Sequence, residues 1–117
     1  MNLDDFTVDR SGTLLDAAQT IQRNRSRSAV VTHAGKVVGI LTEGDLLRAL
    51  LHGATVYANL EKFVRHDFTF FRKRDETAAL EMFRKHGFTM IPVIDGSFHL
   101  VDVILLADVL AKVELPG

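Results

Sequence analysis

In the stretch 37–50, VVGILTEGDLLRAL, a hydroxyl and a carboxylate stand three residues apart as Thr42 and Asp45, just behind Gly39. That spacing supports two chemistries. In Thr-x-x-Asp at a strand-to-helix junction each side chain can bond the other's backbone N–H, a capping box that stabilises a helix by about 1 kcal/mol. The same hydroxyl, with the free N–H groups of a first helical turn, can instead hold a phosphate or ribose oxygen. The carboxylate can then accept from ribose hydroxyls. Gly39 has no side chain, so a flat group can approach the backbone there. The stretch 100–113, LVDVILLADVLAKV, aligns with 37–50 without a gap. In it Asp102 replaces Gly39, Leu105 replaces Thr42, and Asp108 keeps the place of Asp45.

The elements that must position these residues are duplicated too. DFTV at 5–8 returns as DFTF at 67–70, AAQTIQR at 17–23 as AALEMFR at 78–84, and SAVVTHAGKVVG at 28–39 as IPVIDGSFHLVD at 91–102. Each half predicts a short strand (Thr7–Val8; Thr69–Phe71) and then an amphipathic helix (Leu14–Arg23; Thr77–His86). Two strands follow around a tight turn, Ala29–Thr32 with Lys36–Leu41 and Ile91–Ile94 with Phe98–Leu105, turning at Gly35 and Asp95-Gly96. A helix closes each half, Gly44–Leu51 and Ala107–Val113. The bridging segment HGATVYANLEKFVRHD reads as a loop with a short helical turn. The expected fold is α+β, two β-α-β-β-α repeats related by a pseudo-twofold axis, divided as 1–58 and 59–117. A half of ~55 residues is marginal alone, so the two are expected to pack sheet against sheet over one core.

Composition narrows the function. The chain has 117 residues, 47% hydrophobic and 25% charged, with a net charge of −1. Neutrality gives no general pull toward nucleic acid or an anionic membrane. The basic stretches 23–27 and 72–74 lack the aromatic platforms that single-stranded nucleic acid needs, beyond Phe70 and Phe71. There are no cysteines, so disulfides and thiolate chemistry are excluded and a reducing compartment fits. No apolar run nears the ~20 residues of a membrane span, and the start MNLDDF is unlike a signal peptide. A soluble cytoplasmic protein, or a piece of one, is expected. The five histidines, His33, His52, His66, His86 and His99, form no metal-binding spacing. With neither a Gly-x-Ser-x-Gly elbow nor a P-loop, independent catalysis is not expected.

The repeat frame, with VVGILTEGDLLRAL as its motif and IPVIDGSFHLVDVILLADVL as the second copy, resembles the cystathionine β-synthase (CBS) domain, which occurs in tandem pairs. The resemblance spans nearly the whole chain. It implies a regulatory module that needs no cofactor, binds AMP, ADP, ATP or S-adenosylmethionine, and pairs with a second copy as a homodimer. It also implies that each cleft takes its Thr/Asp motif from one repeat and its opening strand and pre-Pro residues from the other.

On that pattern the first cleft combines Gly39, Ile40, Thr42 and Asp45 with Thr69, Phe70, Phe88, Thr89 and Met90, the last five flanking an adenine. Arg72, Lys73 and Arg74 follow and can meet phosphates. The second cleft combines Asp102 and Asp108 with Thr7, Arg25, Ser26 and Arg27. It is degenerate, because Asp102 puts a carboxylate where a base would approach and Leu105 removes the hydroxyl. A buried unpaired carboxylate is costly, so Asp102 is expected to face solvent or an arginine such as Arg25 or Arg27. Plainer roles compete throughout: a helix cap for Thr42 and Asp45, core packing for Phe70, Phe88 and Met90, solvated connections for the arginines. A dimerisation or protein-interaction module without a ligand is the second functional reading.

Overall fold

A computed structural model describes residues 1–112; Val113, the expected end of the last helix, lies outside the described residues. A 3-10 turn at Leu3–Phe6 leads into β1 (Thr7–Asp9), α1 (Leu14–Asn24), β2 (Ser28–His33), β3 (Lys36–Thr42) and α2 (Glu43–Leu51). A second 3-10 turn, Leu60–Phe63, interrupts the linker. The second repeat supplies α3 (Glu76–His86), β4 (Met90–Ile94), β5 (Leu100–Leu105) and α4 (Leu106–Ala111). Among the described residues no helix is long and apolar enough to cross a membrane.

Period-two alternation in the inner strands explains how the halves join. On β2, Ala29 and Val31 face α1 within the first repeat's own core, whereas Val30 faces the other way. On β4, Ile91 and Val93 pack toward α3, whereas Met90 and Ile94 face the first repeat. The outward rows meet in a shared core of Phe6, Val30, Val37, Ile40, Met90, Ile94 and Val103. A bulge in each hairpin serves this seam. Val31 pairs with Gly39 but Thr32 with Val37, so Val38 is extra; Val93 pairs with Asp102 but Ile94 with Leu100, so Val101 is extra. Each bulge flips the alternation once, turning Val37 and Ile40, and likewise Leu100 and Val103, to the same side.

The structure corrects three expectations. Ser28 lies opposite Thr42 and Met90 opposite Leu105, so Met90, not Ile91, is the counterpart of Ser28. The third strand of the second repeat is also shorter than Thr69–Phe71. It contracts to one parallel bridge, Phe71 to Val93, with the Phe71 N–H donating to the Pro92 carbonyl and the Ile94 N–H to that of Phe71. Extending the ladder toward Thr69 would require an N–H from Pro92, which has none. At the turn between β4 and β5, β5 begins at Leu100 rather than Phe98, because Asp95 accepts the N–H groups of Ser97 and His99 and holds the turn open, with Phe98 at φ 66°.

Gly39 has a packing reason of its own. The linker returns across β3, where Arg65 and Ile40 exchange both backbone hydrogen bonds, at 2.8 and 3.0 Å. A Cβ on Gly39 would collide with Val64 Cγ1 and sit 2.5 Å from the Arg65 carbonyl oxygen. Gly39→Ala is therefore expected to cost about 1–3 kcal/mol, seen as a lower urea midpoint with an unchanged slope.

Candidate functional site

Between the repeats lies an open cleft of about 900 Å³. Its first wall is the strand-to-helix junction of repeat one. Ile40 ends the sheet face, Thr42 ends β3, and Glu43, Gly44 and Leu47 belong to the start of α2. Facing them are Thr69, Phe88, Thr89 and Met90 of repeat two. Six of the nine expected residues thus come together. Gly39, Asp45 and Phe70 do not line the cleft: Gly39 lies under the linker, Asp45 is turned into an ion cluster, and Phe70 packs against the shared core beside Phe68.

Thr42 and Asp45 form the complete capping box. The Thr42 hydroxyl accepts from the Asp45 N–H at 3.1 Å, and Asp45 Oδ2 accepts from the Thr42 N–H at 3.0 Å. The carboxylate has two further partners. Arg48 donates to Oδ1 at 2.6 Å, and Arg65 Nε reaches Oδ1 and Oδ2 at 2.9 and 3.0 Å. Asp45 is 9% exposed. Burial pushes its carboxyl up, but the Thr42 N–H and the two guanidiniums outweigh it and hold the group below the usual carboxylate range.

The loop closing α1 supplies the cleft's edge. Arg25 and Arg27 both take left-handed backbone, at φ 59° and 68°, on either side of buried Ser26. The Arg27 carbonyl accepts from the Glu43 N–H and so caps α2, as the Thr89 carbonyl caps α4 through Leu106. The Thr89 hydroxyl donates to the Ser26 carbonyl, tying this loop to the approach of β4. Arg27, expected in the second cleft, therefore lines the first. Arg65, Asp67 and Phe68 also line it and were not anticipated. Arg65 belongs to the linker, where the only sequence signal was that a chain joining the halves must pass the cleft mouth, whereas Asp67 and Phe68 open the repeated DFTF just before the expected Thr69.

On the pseudo-equivalent side, Leu105 begins α4 with no side-chain cap and packs against the shared core. Asp102 pairs with Arg74 at 3.0 Å, not with Arg25 or Arg27. Arg74 also holds Glu76 at 2.9 Å, and Lys112 reaches Glu76 at 2.7 Å. Arg25 ends α1, the Thr7 hydroxyl donates to the Asp4 carbonyl, and Asp108 stands in the first turn of α4. Arg72 lies between the rings of Phe70 and Phe98, 5.1 and 5.3 Å from their centroids, and donates to the Ile94 and Asp95 carbonyls. Of the basic run 72–74, the two arginines thus have structural partners away from the cleft.

Paired β-α-β-β-α repeats, packed sheet to sheet around an open cleft, define the class. Residues 1–52 and 75–115 match the CBS domain, and the chain belongs to that family. It is 29% identical over 105 residues to an inosine-5'-monophosphate dehydrogenase of Thermoplasma acidophilum, covering 89% of this chain and 21% of that one. The chain spans between 21% and 63% of the length of the curated relatives it matches. Among solved structures it resembles a CBS domain protein from Pyrobaculum aerophilum complexed with AMP, with a TM-score of 0.73, 22% identity, and 87% and 80% of the two chains covered. It also resembles the cytosolic domain of the Mg2+ channel MgtE in complex with ATP, with a TM-score of 0.72, 19% identity, and 92% and 44% covered.

Proposed function

We propose that the chain is a non-catalytic regulatory module that binds an adenosine ligand (AMP, ADP, ATP or S-adenosylmethionine) in the cleft between its repeats, at one competent site per chain. The observation that carries this reading is the asymmetry of the two motif sites. At one, a cleft of about 900 Å³ is lined by Thr42 and the first turn of α2 together with Thr69, Phe88, Thr89 and Met90 of the other repeat. At the other, Leu105 is given over to packing and Asp102 to Arg74. The apolar residues suit a base, while Thr42, Arg27 and the α2 N-terminus suit ribose and phosphate oxygens. The AMP and ATP complexes of similar fold support the ligand class.

A thermal-unfolding series with each of the four ligands tests it. A ligand at 100 times its Kd stabilises the native state by about 2.7 kcal/mol, a rise of roughly 10 °C for a domain of this size. The expected result is such a rise with one or more of them, abolished in Asp45→Ala, and a titration that saturates at one equivalent per chain. Two equivalent sites per chain would refute the asymmetry, and no rise with any ligand would refute nucleotide binding.

A second reading, an interaction module that works without ligand, rests on α2 and α4. Leu47 and its repeat counterpart Leu110 are 52% and 53% exposed, and Leu51 continues the α2 row at 83%. Such a row suits a homodimer, in which both readings converge. Sedimentation separates them: Leu51→Glu with Leu110→Glu, both outside the cleft lining, should give a monomer that retains the thermal response if the ligand reading holds.

A further inference from the structure

Arg65 has two attachments that differ in kind. Its backbone is fixed to Ile40 by a pair of hydrogen bonds. Its guanidinium, half exposed, is held among the described residues by Asp45 alone, and Arg65 lines the cleft. The fork engages both carboxylate oxygens, and Arg48 and the Thr42 N–H complete the shell. Asp45 therefore has no oxygen left for a ribose hydroxyl unless a cation withdraws. Arg48 stands on the same helix, one turn on, whereas Arg65 comes from the linker and lines the cleft.

We propose that Arg65 is the specificity-determining residue of the cleft and works by exchange. A ligand takes the Asp45 carboxylate through its sugar hydroxyls only by drawing the Arg65 guanidinium away, and it must supply an anion to receive that guanidinium. The proposal rests on the nucleotide reading and deepens it: the ligand is an adenosine compound bearing phosphate, not a neutral nucleoside and not a cationic sulfonium. A neutral nucleoside leaves a guanidinium stripped of its carboxylate with only water in return. A phosphate restores a forked, charge-assisted contact of comparable strength. The guanidinium can swing without the linker moving, because the backbone bonds to Ile40 do not involve the side chain.

The test is calorimetric titration of adenosine and of AMP into the parent, Arg65→Gln and Arg65→Lys. In the parent AMP is expected to bind at least about tenfold more tightly than adenosine, the worth of one charge-assisted hydrogen-bond pair. In Arg65→Gln adenosine should bind about tenfold more tightly than in the parent, AMP should not improve, and the ratio should collapse toward one. Arg65→Lys keeps the charge without the fork and should fall between; it carries the test if Arg65→Gln does not fold. Tightening of adenosine with no tightening of AMP is a signature that a scaffold role cannot produce. An unchanged ratio, or equal weakening of both ligands, overturns the exchange while leaving nucleotide binding intact. No heat with either ligand in any variant overturns the nucleotide reading, and the exchange with it.

Discussion

Ile94→Ala is expected to destabilise the whole chain by about 2–5 kcal/mol, a large share of the roughly 5–15 kcal/mol that holds a domain of this size. Ile94 is fully buried on β4 in the seam where the two sheets meet, in one cluster with Phe6, Val30, Val37 and Ile40 of the first repeat. Truncation removes apolar contact and leaves a cavity between two sheets that cannot both collapse onto it. The location matters as much as the size. If the seam is one core, β2 and β4 lose protection together, because neither half has a sufficient core alone. Native-state hydrogen exchange on the variant reads this directly. Loss of protection in β4 amides with β2 amides unchanged would show that the halves are independent.

Asp45→Asn is expected to lower stability at neutral pH by about 1–3 kcal/mol and to change its pH dependence. The substitution weakens the capping box and removes the charge that Arg48 and Arg65 share. The cost stays moderate because both guanidiniums are more than half exposed and return to water. The native carboxyl is held below its usual range, so its contribution is complete above the unfolded-state value of about 3.9. It is lost as pH falls through the depressed native value. Urea unfolding of parent and variant across pH 2–7 should therefore give curves that run apart above about pH 5 and converge in acid. A gap that persists unchanged at the lowest pH would mean the carboxylate's charge is not what stabilises the fold.

Local pattern was enough for most of the fold. The duplicated segments marked β2, β3, β4 and β5, the turn residues placed both hairpins, and Thr42 with Asp45 marked the start of α2. What failed depended on contacts distant in the chain. The second repeat's opening strand looked as strong as the first, but its partner Pro92 cannot donate, and that loss is visible only once β4 is known to lie beside it. Gly39 was read as room for a ligand, whereas the room is taken by Val64 and Arg65, which a local reading left in a featureless linker. Asp102 was matched to arginines of the wrong repeat because Arg74 comes close only through the fold of its own repeat. Arg65 was missed for the same reason: nothing near it in the chain announces a carboxylate twenty residues earlier.

Arg74, by holding Asp102, also bears on how the proposed sensor would answer a changing signal. Two matched clefts in one chain could be coupled, so that filling the first alters the second and the response steepens. On the proposed reading of one competent cleft per chain, that coupling has no second term. Occupancy would then rise in proportion to concentration at low dose and level off gradually along a simple hyperbola. Any threshold-like behaviour would then have to arise between copies of the chain, for which the exposed leucines of α2 and α4 are the proposed contact, and not within one.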